Sequence, residues 1–317
     1  MPDTGCVWNS PYGQTGIWND FSTNILEIAY PVLERPDQFI ELRQAVFGRL
    51  QQVLLENELV ITPGTVGFRR PDEIVLRPAP SPEYQIRLDK DLQRPANGRE
   101  LFNPYFYANI CATQVSISVT HATWKKVVRG LFEYEHLIPL LYSSTTRANE
   151  KMYHCLRHFV LADNWPNDPY VGYPKDISVL IDGVELNPQP RTVKYANCVY
   201  RSPDRVEFRS CDRLDETDEI LEMTCLRLLT LATAIEFAAS NEGSRSRDLY
   251  LAACRTGAVC EKTVNEQLRR FLSVLHKGTG LLQQPLWESY IETLLHKLEN
   301  LSRQSSPQKV RRADVKL

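Results

Sequence analysis

Along this chain the spacing of apolar residues shifts from two toward three and four, which separates a strand-bearing first part from a helical last third. Residues 24–30 (NILEIAY) are an apolar run bounded by polar residues and Pro31, the pattern of a buried strand. Pro36 and Asp37 then open a helix, and Phe39, Leu42, Val46, Phe47, Leu50, Val53 and Leu54 share one of its faces. Residues 63–83 hold five of the chain's 20 prolines and read as a long irregular loop. In residues 109–120 (NICATQVSISVT), Val115, Ile117 and Val119 alternate with Gln114, Ser116 and Ser118, so a strand with one apolar and one polar face is expected. A helix follows, with Trp124, Val127, Val128, Leu131 and Phe132 on its apolar stripe. Residues 163–204, rich in Pro, Asn, Asp and Tyr, read as loop with short strands.

Residues 205–211 (RVEFRSC) alternate again, with Val206 and Phe208 on one side and Arg205, Glu207, Arg209 and Cys211 on the other. Arg201, Arg205, Arg209 and Arg213 recur every four residues, which also fits a helix edge; Pro203 and the β-branched and aromatic content favour the strand. Asp215 is placed to cap a long helix running to Ala239, with Asp218 and Glu219 in its first turn. That helix is apolar nearly all round and should be buried. Further helices are expected over 246–256, 261–276 and 285–301. The reading is a single α+β domain over 1–302 and a polar, disordered tail over 303–317.

Composition narrows the classes of function. Hydrophobic residues make up 43% and charged residues 24%, the balance of a globular chain, and the net charge of -2 offers no positive excess for nucleic acid or an acidic membrane surface. No apolar run approaches the roughly 20 residues of a membrane span, and the N-terminus lacks the basic and apolar regions of a signal peptide. The eight cysteines form no C-x-x-C pair and are spread through apolar segments, which reads as the reduced, mostly buried thiols of a cytosolic protein without a zinc site. His154 and His158 sit four apart with no third ligand nearby.

The candidate chemistry lies on the two alternating strands. A sheet with Glu207 and Arg209 on its polar face, and helices behind it, makes a concave site for an anionic substrate and a metal. Carboxylate oxygens suit Mg²⁺, whose octahedron phosphates usually complete. An arginine two residues from such a glutamate lies about 7 Å along the same face and can grip phosphate or carboxylate bidentately. From pattern alone, a surface salt-bridge ladder accounts for Glu207 and Arg209 more readily. Asp20 and Glu27 flank a Ser/Thr/Asn stretch, and Glu27 interrupts the run Ile25-Leu26-Glu27-Ile28; a carboxylate among aliphatics needs a partner or a metal, unless the strand is half exposed.

Several segments, in order, resemble the glutamate–cysteine ligase superfamily, including its bacterial carboxylate–amine ligase branch. Asp20-Phe21-Ser22-Thr23-Asn24-Ile25-Leu26-Glu27-Ile28 is similar to the family's D-[FY]-x-x-x-[LI]-L-E-[FI] segment. Pro63-Gly64-Thr65 resembles the loop that begins its G-x-H-P motif, without the His and Pro. Cys111-Ala112-Thr113-Gln114-Val115-Ser116-Ile117 is similar to C-T-V-Q-V-N-L, with Ser116 where Asn or His is usual. Arg205-Val206-Glu207-Phe208-Arg209-Ser210-Cys211-Asp212 is similar to T-V-E-V-R-I-C-D, the most specific match, and Ala253–Gly257 falls where the family has an R-x-G turn. The family's opening strand G-x-E-x-E and its substrate loop S-P-F-x-E-G have no match here.

The resemblance implies a glutamine-synthetase-like fold, a curved antiparallel sheet with helices on its outer face that holds ATP, Mg²⁺ and an amino-acid carboxylate. It implies that Asp20 and Glu27 serve one metal, that Gln114 and Glu207 serve another, that Gln114 and Ser116 line the nucleotide, that Arg209 binds phosphate or an acyl phosphate, and that Arg157 binds substrate. The implied reaction is ATP-dependent amide formation between a small amino-acid or other carboxylate and an amine. A non-catalytic or truncated member acting as a binding or regulatory subunit, and an amide hydrolase on the same site, are the alternatives. Whether the chain forms a homo-oligomer is left open.

Overall fold

The N-terminal apolar run forms the third strand of a small sheet. In the computed structural model the described residues are 5–19, 25–61, 111–120, 122–143, 146–148, 151–156, 159, 181, 194–195, 198–202, 205–208, 211–237, 243–257, 260–277, 282 and 285–304. They fall into two compact units, 1–112 and 113–317.

In the first unit β1 (Cys6–Ser10), β2 (Gly13–Asn19) and β3 (Leu26–Ala29) form an antiparallel sheet in chain order. Pattern reading missed the β1–β2 hairpin. Its turn signal is Ser10-Pro11-Tyr12-Gly13, with proline and glycine where a four-residue turn favours them. Ser10 fastens it: Oγ donates to the Gly13 carbonyl at 2.8 Å and accepts the Tyr12 N–H at 3.1 Å. β3 corrects the expectation of a buried strand, because Leu26 is 43% exposed and Glu27, Ile28 and Ala29 are only half-buried. A three-stranded sheet leaves part of each outer strand uncovered. Helix α1 (Pro36–Glu56) begins at the expected proline, and the Gln38 side chain reaches back to accept the N–H groups of Glu34 and Arg35. Leu42 and Val46 carry its buried stripe, whereas Val53 is exposed.

The second unit has a four-stranded antiparallel sheet in the order β4 (Val115–Ser118), β9 (Arg205–Phe208), β8 (Cys198–Ser202) and β7 (Lys194–Tyr195), and a separate hairpin of β5 (Thr146–Ala148) and β6 (Lys151–Tyr153). Its helices among the described residues are α2 (Trp124–Tyr134), α3 (Leu137–Leu141), α4 (Thr217–Glu236), α5 (Gly243–Thr256), α6 (Glu261–His276) and α7 (Pro285–Gln304). α4 is the hub: α2, α6 and α7 all pack on it, while α5 packs on α2 and α3. Twelve of its residues are buried, as an all-round apolar helix requires. The α2–α4 crossing is close because a Cβ at Gly130 would stand 2.1 Å from the Ala234 methyl. Gly257, at φ +66, ends α5 in a conformation that glycine adopts without strain.

Boundaries shift for local reasons. Glu216 is the N-cap of α4 in place of Asp215, whose carboxylate is taken by Arg213 Nε at 2.6 Å. α4 stops at Glu236, and Phe237 is extended; α7 runs on to Gln304, beyond the expected start of the tail. The expected loop over 63–83, the tail beyond 304 and most of 163–193 lie outside the described residues. Among the described residues no helix is long and apolar enough to cross a membrane.

Candidate functional site

Strand pairing puts one expected site residue opposite another. The β4–β9 register is Val115 to Phe208, Ser116 to Glu207, Ile117 to Val206 and Ser118 to Arg205. Directly opposed residues share a face, so Ser116, Ser118, Arg205 and Glu207 lie on one side, and Val115, Ile117, Val206 and Phe208 on the other. The second face is core: Val206 and Phe208 are buried. On the first, Ser116, Ser118 and Arg205 are exposed, yet Glu207 is only 8% exposed. Glu207 also stands opposite Val199 of β8, beside a register shift between Tyr200 and Ser202. Gln114 precedes β4 and is exposed.

The other expected ligands are not brought to this face by what is described. Asp20, Arg157 and Arg209 lie outside the described residues, as does His158. Glu27 belongs to the first unit. Its neighbour explains its presence among aliphatics: Trp18 is its cross-strand partner on β2, and the indole Nε1 donates to Glu27 Oε2 at 2.8 Å. β2 ends at Asn19 and β3 begins at Leu26, so the interval between Asp20 and Glu27 spans a strand connection rather than one continuous strand.

Behind the sheet lies a set of buried polar groups that apolar periodicity did not reveal. The Arg227 guanidinium, on α4, makes two parallel bonds to Glu135, 2.6 Å from Nη1 to Oε2 and 3.0 Å from Nη2 to Oε1. Its Cζ lies 4.8 Å from the centroid of the Phe208 ring. Burial raises the Glu135 carboxyl above the ordinary glutamate range, and Arg227 offsets only part of that rise. One turn earlier on α4, Glu222 accepts the Tyr142 hydroxyl at 2.7 Å and pairs with Lys297 of α7 at 2.7 Å. Burial, then Glu222, raise the Tyr142 hydroxyl well above its usual range. Two charged residues inside an otherwise apolar helix were the available signal, since each needs a partner when buried.

Asp212 closes the segment 205–212 and is 2% exposed; the Cys155 thiol donates to its Oδ1 at 3.4 Å. Burial, then Cys155 and Asp212, push the Cys254 thiol well above its usual range, and burial and Glu222 push Cys225 up to about 12. Such thiols are poor nucleophiles. Cys155, Cys211, Cys225 and Cys254 are buried as expected, but Cys6 and Cys260 are exposed. His154 packs over Gly257, and its Nε2 lies 3.4 Å from the Leu140 carbonyl oxygen.

The fold is similar to that of a ligase. A solved structure described as the Pup ligase PafA of the prokaryotic ubiquitin-like modification pathway, in complex with ADP, aligns with 97% of this chain at a TM-score of 0.50 and 8% sequence identity. The chain spans 62% of that ligase's length. No family model matches the sequence, and no curated protein matches it. The likeness is one of fold: mixed helix and strand with small antiparallel sheets.

The donors present suit a hard cation in kind. Glu207, Ser116 and Gln114 offer oxygen, the ligand Mg²⁺ takes, and no thiol or imidazole is among them. Among the described residues no group of three or more His, Cys, Asp or Glu side chains is placed to hold a metal. Mg²⁺ typically takes one or two carboxylates and completes its shell with water and phosphate oxygens. A single buried carboxylate facing a serine is compatible with that mode and with no all-protein cage.

Proposed function

We propose that the chain is an ATP-dependent carboxylate–amine ligase, forming an amide through an acyl phosphate. The observation that carries this reading is the likeness of its fold, over 97% of the chain, to a ligase solved with ADP. The placement of Glu207 opposite Ser116, within the segments that resemble the glutamate–cysteine ligase family, supports it at residue level. In this reading the sheet is part of a curved glutamine-synthetase-like sheet. Glu207 and Gln114 hold Mg²⁺ on the nucleotide, and Ser116 lies beside them. Arg209 binds the transferred phosphate, Arg157 the carboxylate substrate, and Asp20 with Glu27 a further Mg²⁺. Bound Mg²⁺ would neutralise charge on the phosphates. The chain's own contribution is to position the two substrates and to stabilise developing charge. No protein nucleophile is required, in keeping with the buried thiols behind the sheet.

The acyl donor is read as an amino acid or another small carboxylate. The likeness to a ligase named for a ubiquitin-like protein adds a polypeptide carboxylate to the candidates. Phosphate release from ATP, measured over a panel of carboxylates and amines, is the test. The reading expects release that needs one carboxylate and one amine together, with loss in Arg209→Ala while the protein stays folded. Release with a carboxylate alone indicates water as the acceptor and replaces the ligase reading. Nucleotide binding without turnover on any pair supports a binding or regulatory subunit.

A further inference from the structure

Strand β9 carries Glu207 on one face and Phe208 on the other, and Phe208 is held from behind by a buried charge. Arg227 is 2% exposed and Glu135 1%. For stability alone this pair is unnecessary, because well-packed apolar side chains of equal volume serve a core as well or better. What a two-bond arginine–carboxylate contact adds is orientation: the fork fixes the guanidinium plane. The plane so fixed lies against the Phe208 ring, at 4.8 Å from Cζ to centroid. Glu135 comes from the corner between α2 and α3, Arg227 from α4 and Phe208 from β9, so three elements meet at one guanidinium. Successive strand residues point to opposite faces, and the height and tilt of Phe208 therefore set those of Glu207.

We propose that Arg227 and Glu135 are positioning residues for Glu207: the buried pair locks β9 through Phe208 and so presents the carboxylate to its ligand. This rests on the reading that Glu207 holds Mg²⁺–ATP. Neither residue touches the ligand.

The experiment compares wild type, Glu135→Leu/Arg227→Met, the swapped pair Glu135→Arg/Arg227→Glu, and Phe208→Leu. Two quantities are read on each full chain: the affinity for Mg²⁺–ATP, and amide hydrogen exchange at residues 206–208 against that in α4. The apolar double variant is expected to stay folded, to lose about tenfold in affinity as supporting residues of metal ligands do, and to exchange faster in β9 with α4 unchanged. The swapped pair keeps a buried ion pair but moves the cation off Phe208, and is expected to behave like the double variant. Phe208→Leu leaves the ion pair in place and should show the same loss, which keeps the proposal testable if the charge variants do not fold. Wild-type affinity and wild-type β9 exchange in the double variant or in Phe208→Leu would overturn it. If wild type binds no nucleotide, the ligase reading fails; accelerated β9 exchange in the variants then still supports the lock on the strand, and unchanged exchange refutes it.

Discussion

The described residues of 113–317 bury four carboxylates, Glu135, Glu207, Asp212 and Glu222, each below one tenth exposed, whereas no acidic residue among the described part of residues 1–112 is buried. The helical unit can bury charge because it surrounds it with donors: Arg227 for Glu135, Tyr142 and Lys297 for Glu222, the Cys155 thiol for Asp212. In the N-terminal unit Glu27 accepts an indole N–H on a strand that is only half-buried. Removing a partner in the first setting strands a charge in low dielectric, while in the second water can replace it. Stability should therefore be concentrated behind β4 and β9, and substitutions around β1–β3 should be tolerated.

The largest effect expected from this contrast is a pH dependence. His136 is fully buried at the α2–α3 corner. The side chain of Gln267 on α6 favours the charged ring but burial outweighs it, and Glu133 and Glu135, which precede His136 in the chain, are paired with Arg270 and Arg227. Burial lowers its pKa to about 4, against 6.5 ordinarily. Between those values the unfolded chain binds more protons than the folded one, so stability is complete above 6.5 and falls as pH drops toward 4. The loss from this group is about 3 kcal/mol. Denaturant titrations of wild type and His136→Phe at neutral pH and at mild acidity check it; parallel losses in the two proteins would refute it.

A smaller effect is expected at the α2–α4 crossing. Gly130→Ala gains helix propensity but drives its methyl into Ala234, so a net loss of about 2 kcal/mol is expected. A melting temperature equal to or above that of wild type would show that the helices can separate at little cost. Least sensitive is the N-terminal sheet: Trp18→Phe removes the donor to Glu27 and should cost about 1 kcal/mol. The same variant asks what Glu27 is for. A fall of about tenfold in Mg²⁺ affinity marks the indole as the group that orients a metal ligand, and unchanged affinity marks Glu27 as structural.

The same contrast explains what could be read from the chain. β4 and β9 were legible because apolar and polar residues alternate along both: Ile117, Val206 and Phe208 are in the core, and even the buried Glu207 keeps to the polar side. The α6 boundaries, Glu261–His276, and the start of α1 at Pro36 followed from strong periodicity and a proline at the first turn. β1 and β2 were missed because their described residues, Thr15 apart, are half-buried or exposed, which left the turn at Pro11-Tyr12 as the main clue. The cap of α4 moved by one residue because Arg213 captures Asp215, a contest between neighbours that a propensity does not register. Arg227 and Glu222 escaped notice because a count of apolar positions passes over the charges between them. At the site, pattern correctly set Ser116 and Glu207 on polar faces; that they stand opposite each other depends on register between segments about 90 residues apart, which no local signal carries.

Calorimetric titration of the folded chain with Mg²⁺–ATP, wild type beside Glu207→Gln, asks whether Glu207 holds the metal–nucleotide complex. Saturable binding to wild type that needs Mg²⁺ is expected, with a loss of about tenfold or more in Glu207→Gln, a ligand substitution, in a protein that stays folded. No heat at millimolar nucleotide from folded wild-type protein, or equal affinity in the two proteins, would contradict it.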